Sequence, residues 1–152
     1  MKKIKTSLIC IFLLFNSCGY SSLYDITKFN FGISELNLSG DKIINRFINE
    51  QLLSFREKKN TNKLFKVNLY SSQKKIITSK NTKGDATSYK ITINLNLEVL
   101  RNNEKIFSKN YKESSTYNNL GSKFELRQYE NILINDLTRD ISQEIINNLS
   151  LL

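Results

Sequence analysis

The chain has 152 residues and a formal charge of +9, with no His, no Trp, no Pro and two cysteines, Cys10 and Cys18. Without His it has no ordinary zinc, copper or haem ligand set and no Ser-His or Cys-His nucleophile pair, which excludes those metal and covalent-hydrolase chemistries. The positive balance suits acidic partners such as nucleic acid, anionic lipid or a phosphorylated glycolipid, although joint enrichment in Lys, Asn and Ile is also what A- and T-rich coding produces.

Met1-Lys2-Lys3-Ile4-Lys5 is a basic start, and Leu8 to Phe15 is an apolar run. The run is too short to cross a bilayer as a helix, which takes about 20 residues, and has the length of a signal-peptide core. Small Ser17 precedes Cys18, and the stretch resembles the bacterial lipobox, with Phe15 and Asn16 where Leu and a smaller residue are commoner. The expectation is a lipoprotein signal peptide over 1–17, a lipidated tether over 18–28, and one domain over 29–152. Cys18 would carry an N-acyl and an S-diacylglycerol group. Each buried CH2 of such chains contributes about 0.8 kcal/mol, so two or three chains anchor a protein effectively permanently. Cys10 leaves with the leader, so no internal disulfide can form. Gly19, where an Asp would signal inner-membrane retention in enteric bacteria, favours the outer membrane.

Phe29, Phe31 and Ile33 alternate, then Leu36 and Leu38 alternate in the other phase. The period predicts a strand, and the slip a bulge near Ser34-Glu35. Ser39-Gly40-Asp41 supplies helix-capping chemistry. Ile44, Phe47, Ile48, Leu52 and Phe55 then make one apolar face of a helix from about Lys42 to Arg56. Phe65, Val67 and Leu69 predict a second strand over Leu64 to Ser72, with a less defined basic stretch to a turn at Lys83-Gly84-Asp85. The clearest strand runs from Tyr89 to Val99, with Ile91, Ile93, Leu95 and Leu97 on one face. Lys90, Thr92, Asn94, Asn96 and Glu98 line the other, a pattern of an antiparallel sheet with one wet face. Asn102-Asn103 is a tight turn. A fourth strand covers Lys105 to Tyr117, with Phe107 and Tyr111 on one side. A long helix closes the chain from Phe124 to Leu149, its buried stripe read as Leu126, Tyr129, Leu133, Leu137, Ile141 and Ile145.

The order strand, helix, strand, strand, strand, helix predicts an α+β fold. Two helices packed on one face of a mostly antiparallel four-stranded sheet would bury every apolar face. The helical crossover allows the first strand to pair in parallel.

The lipobox followed by Cys18-Gly19-Tyr20 and Leu23-Tyr24 resembles the start of the LptE family of lipopolysaccharide-assembly lipoproteins. Similarity continues through Ser88-Tyr89-Lys90-Ile91, Ser114-Ser115-Thr116-Tyr117-Asn118 and the amphipathic C-terminal helix. The resemblance implies a non-enzymatic outer-membrane lipoprotein without a cofactor, its domain on the periplasmic side. Its partner would be an LptD-like outer-membrane β-barrel, whose lumen it plugs and which it helps to assemble and to insert lipopolysaccharide. It implies phosphate contacts to lipopolysaccharide at Lys80, Lys83 and Lys123. With polar barrel walls around it, Thr92, Asn94 and Asn96 would face the lumen. The alternative function is an independent lipoprotein that binds or carries a lipid or anionic glycolipid, which requires a deep apolar cavity between sheet and helices.

Overall fold

The computed structural model describes residues 29–58 and 61–152. The expected signal peptide, Cys18 and the expected tether to Lys28 lie outside the described residues. The elements are β1 (Gly32–Gly40), α1 (Lys42–Glu57), β2 (Leu64–Lys80), β3 (Ala86–Arg101), β4 (Glu104–Asn118) and α2 (Lys123–Leu151). The four strands lie in the order β1-β2-β3-β4, with β1 parallel to β2 and the other two pairs antiparallel. This is the expected α+β layer, and the parallel pair is β1 with β2.

The phase slip in β1 is a register shift between Ile33 and Glu35, which lets Ile33, Leu36 and Leu38 all turn toward the helices. Asp41 ends the strand and caps α1, accepting from the amides of Ile43 at 2.9 Å and Ile44 at 3.1 Å. Such a cap contributes about 1 kcal/mol. Ile44, Ile48, Leu52 and Phe55 form the buried face of α1, and Phe31 stacks on Phe55 with ring centroids 4.8 Å apart. They meet Phe65, Val67 and Leu69 of β2 and the alternate apolar positions of β3, each side chain so buried contributing about 1.5–3 kcal/mol.

The hairpin β2–β3 is longer than the sequence pattern indicated. β2 continues through the basic stretch to Lys80, and pairing with β3 runs from Lys66↔Leu100 to Lys80↔Ala86. Beyond Ser71 neither β1 nor α1 accompanies it. β1 ends at Gly40↔Ser71, and α1 starts at that level, where the Ser71 hydroxyl lies 2.7 Å from Asn45 Oδ1. Apolar periodicity fades there because β2 has little to be buried against. The backbone pairs nonetheless.

The same geometry corrects the stripe on α2. Ile141 and Ile145 are buried, but Leu126, Leu133 and Leu137 are only half-buried and Tyr129 is 41% exposed. The fully packed positions are Ile134, Thr138, Ile141, Ser142, Ile145, Ile146 and Leu149. α2 has 29 residues against 16 in α1, so at 1.5 Å per residue it outreaches its neighbour by about 20 Å. Only its C-terminal half lies in the helix layer.

Candidate functional site

Because side chains alternate across a strand, one sheet face packs under the helices and the other stays open. Strand register places the open-face residues in rungs. The first is Glu35–Lys66, continuing to Leu100 and Lys105. Next come Asn37–Asn68–Glu98–Ser108 and Ser39–Tyr70–Asn96–Asn110. Beyond the end of β1 follow Ser72–Asn94–Lys112, Lys74–Thr92–Ser114 and Ile76–Lys90–Thr116.

The rungs differ in charge. The first two hold ion pairs, Lys66 with Glu35 at 2.9 Å and Lys105 with Glu98 at 3.6 Å. The hydrogen bond to Lys66 comes first among the causes that hold the Glu35 carboxyl below the ordinary carboxylate range, followed by that from Asn37. The third rung is neutral, and carboxamides run through the second and third, with Asn37 Nδ2 donating to Asn68 Oδ1 at 3.0 Å. Here lies a shallow groove of about 520 Å³ along Asn37, Asn68, Tyr70, Asn96 and Asn110, lined also by Glu98 of the second rung. The far rungs are basic, and Lys74, Lys90 and Lys112 line a second hollow of about 270 Å³ with Thr92 and Asn94.

Thr92, Asn94 and Asn96 therefore stand on the open face, as their alternation indicated. Sequence reasoning missed their neighbours Asn37, Asn68, Tyr70 and Asn110. Each occupies the polar phase of its own strand, which was a usable signal, but only pairing register brings them side by side.

Lys80, Lys83 and Lys123 are all exposed and reach one end of the sheet. Lys80 pairs across from Ala86 at the end of the hairpin. Lys83 is in the turn, which the Asn81 carboxamide organises by accepting from the amides of Lys83 and Asp85, both at 2.9 Å. Lys123 is the first residue of α2, and Asn119 fastens that corner to the hairpin through its amide to Thr87 O and its side chain to Ala86 O, both at 2.8 Å.

On the helix side a polar knot holds the projecting hairpin to α2. Tyr117 donates to Glu130 Oε1 at 2.8 Å, and Lys75 ion-pairs with the same carboxylate. Lys75 Nζ also lies 4.2 Å from the Tyr89 ring centroid, and Tyr117 packs between Tyr89 and Tyr129. Burial, then the Glu130 hydrogen bond, pushes the Tyr117 phenol well above its ordinary value. Tyr117 is thus a packing residue, whereas Tyr129 only rims the cluster.

Among the described residues no group of His, Cys, Asp and Glu could hold a metal ion, and no helix is long and apolar enough to cross a membrane. What the open face and hairpin end offer chemically is amide hydrogen bonding and positive charge.

The profile of the LptE lipopolysaccharide-assembly family matches residues 37–149. No curated protein matches the sequence significantly. Among solved structures, the rare lipoprotein B of Shewanella oneidensis is similar at 14% identity and a TM-score of 0.58, over 76% of this chain and 92% of that one. A lipoprotein B of Nitrosomonas europaea is similar at 13% identity and a TM-score of 0.58, over 87% and 90%. A minor lipoprotein of Acinetobacter baumannii gives 16% identity and a TM-score of 0.52, over 80% and 93%. These likenesses show a shared fold. The family match runs from the middle of β1 to the last turns of α2, and on that ground the chain belongs to the LptE family of lipopolysaccharide-assembly proteins.

Proposed function

We propose that this protein is a lipid-anchored, non-catalytic partner of an LptD-like outer-membrane β-barrel. It is held at the membrane through Cys18, seated partly within the barrel lumen, and assists insertion of lipopolysaccharide. The family match over 37–149 carries the reading, because it makes lipopolysaccharide assembly the work of this domain. Two features of the surface support the finer statement. The open face is polar from Asn37 to Lys112, as befits a plug among the polar side chains and water of a barrel interior. Lys80, Lys83 and Lys123 share one end of the sheet, where ammonium groups can meet lipid A phosphates.

The test is recovery of a partner. Membranes solubilised in mild detergent and purified through this protein should yield one large β-barrel. Recovery of a free monomer, under conditions that keep other barrel complexes intact, would overturn the proposal. The alternative of an independent lipid carrier has less support. The space an acyl chain would need between sheet and helices is filled by Phe31, Phe55, Phe65, Ile48 and Leu52, all at most 1% exposed.

A further inference from the structure

We infer that the open sheet face is a binding site for an anionic oligosaccharide, with neutral sugar rings lying along Tyr70, Asn96 and Asn110 and an acidic substituent at Lys90 and Lys112. The inference rests on the function proposed above only for the source of the sugar, the saccharide portion of a glycolipid. The site is distinct from the end of the hairpin that carries Lys80, Lys83 and Lys123.

Its chemistry is legible rung by rung. A sugar hydroxyl both donates and accepts, and so does a carboxamide, whereas Lys only donates and a carboxylate only accepts. The middle rungs present Asn68, Asn96 and Asn110 around one exposed ring, Tyr70, which is 53% exposed. Asn94, Asn96 and Asn110 spend no side-chain amide on another described residue, unlike Asn37 and Asn68, which bond to each other. The Tyr ring supplies an apolar plane for the C–H face of a sugar ring and a phenol at its edge.

Charge then sets the polarity of the ligand. From the Tyr70 rung to the Lys90 rung the open face carries no acidic side chain among the described residues. The ion pairs of the fold leave Lys74, Lys90 and Lys112 without a carboxylate among those residues. These two rungs lie six residues apart, about 20 Å at the rise of a strand. That length suits several linked sugars, with the phosphate or carboxylate at the hairpin end. Single-stranded nucleic acid fits less well, since sheet readers of RNA stack two or three bases on aromatic side chains and this face offers one.

The experiment uses the full lipidated protein in mild detergent and a phosphorylated core oligosaccharide released from lipopolysaccharide by mild acid, which removes lipid A with its phosphates, titrated by calorimetry. The wild type should bind it, and should bind the dephosphorylated sugar more weakly. Y70A/N96A should weaken both at least tenfold. K90Q/K112Q should erase the preference for the phosphorylated form, while K80Q/K83Q/K123Q should leave sugar binding unchanged. All these side chains are exposed or half-buried, and an unchanged thermal midpoint confirms folding. No binding by the wild type, wild-type affinity in Y70A/N96A, or displacement of the sugar by a lower concentration of an oligouridylate would each overturn the inference. Barrel recovery is measured alongside. A wild type that recovers the barrel but binds no sugar sinks the sugar site alone, whereas a wild type that binds the sugar but recovers no barrel sinks the proposed partnership alone.

Discussion

Gly40 and Ser71 meet where β1 leaves the sheet, so closely that a Cβ on Gly40 would stand 1.9 Å from the Ser71 carbonyl oxygen. That same oxygen accepts the Asp41 amide at 3.1 Å, and Gly40 holds a φ of +93°, a conformation that costs other residues about 1–2 kcal/mol. The contact ends β1, aims α1 back over the sheet, and leaves the distal half of β2 uncovered. Gly40→Ala should therefore destabilise by about 3 kcal/mol, through clash and strain together. Gly84→Ala is the matched control: it also has positive φ, +89°, but nothing within 4 Å, and should cost only about 1 kcal/mol. Urea midpoints at constant m-value separate the two.

The two halves of α2 should respond unequally to truncation. Ile145→Ala removes a side chain that is 0% exposed and should cost about 2–5 kcal/mol. Tyr129→Ala acts on a 41% exposed ring and should cost no more than about 1 kcal/mol. Equal losses in denaturant melts would mean that the N-terminal half is packed as tightly as the C-terminal half.

Alkaline stability should depend on Tyr117. Its phenol is raised above the ordinary 10.0, so the unfolded chain releases the proton first as pH climbs. The folded state then binds more protons than the unfolded one, and stability falls with rising pH. The contribution is complete below about pH 10 and is lost above it. Tyr117→Phe should flatten the decline measured by chemical melts above pH 10. It should not abolish it, because Tyr111, raised chiefly by burial, and Lys109, raised by its hydrogen bond to Glu144, follow the same sign.

Asn103→Gly should stabilise the β3–β4 hairpin by a few tenths of a kcal/mol, up to about 1 kcal/mol. Asn102 and Asn103 hold φ of +53° and +65°, and Gly adopts the second of these more readily than Asn. Thermal midpoints would report the gain, and a lowered midpoint would show that the Asn103 side chain contributes something the turn needs.

Attachment and phosphate contact can be separated by substitution. Cys18→Ser should move the protein from the membrane fraction to the soluble one and abolish labelling by radioactive palmitate. Lys80→Gln, Lys83→Gln and Lys123→Gln together should leave attachment and stability unchanged, since surface substitutions of this kind stay within about 0.5 kcal/mol. They should weaken binding of a diphosphorylated lipid A, read by fluorescence titration.

The sequence by itself determined the element order, the bulge after Ile33, the cap at Asp41 and the core faces of α1 and β3. Each of these rests on local chemistry or on a period of two or 3.6 residues, which neighbours in the chain express without help. Tertiary structure alone decided the length of β2, the burial of α2 and the make-up of the open face. β2 keeps its backbone pairing to Lys80 although its apolar pattern has ended. α2 turns Thr138 and Ser142 inward and leaves Tyr129 exposed because α1, which begins just after β1 ends at Gly40, does not reach alongside the N-terminal half of α2. Asn37, Asn68, Asn96 and Asn110 come from four strands and are remote in sequence. Pairing register gathers them on one face, and register is a property of the assembled sheet.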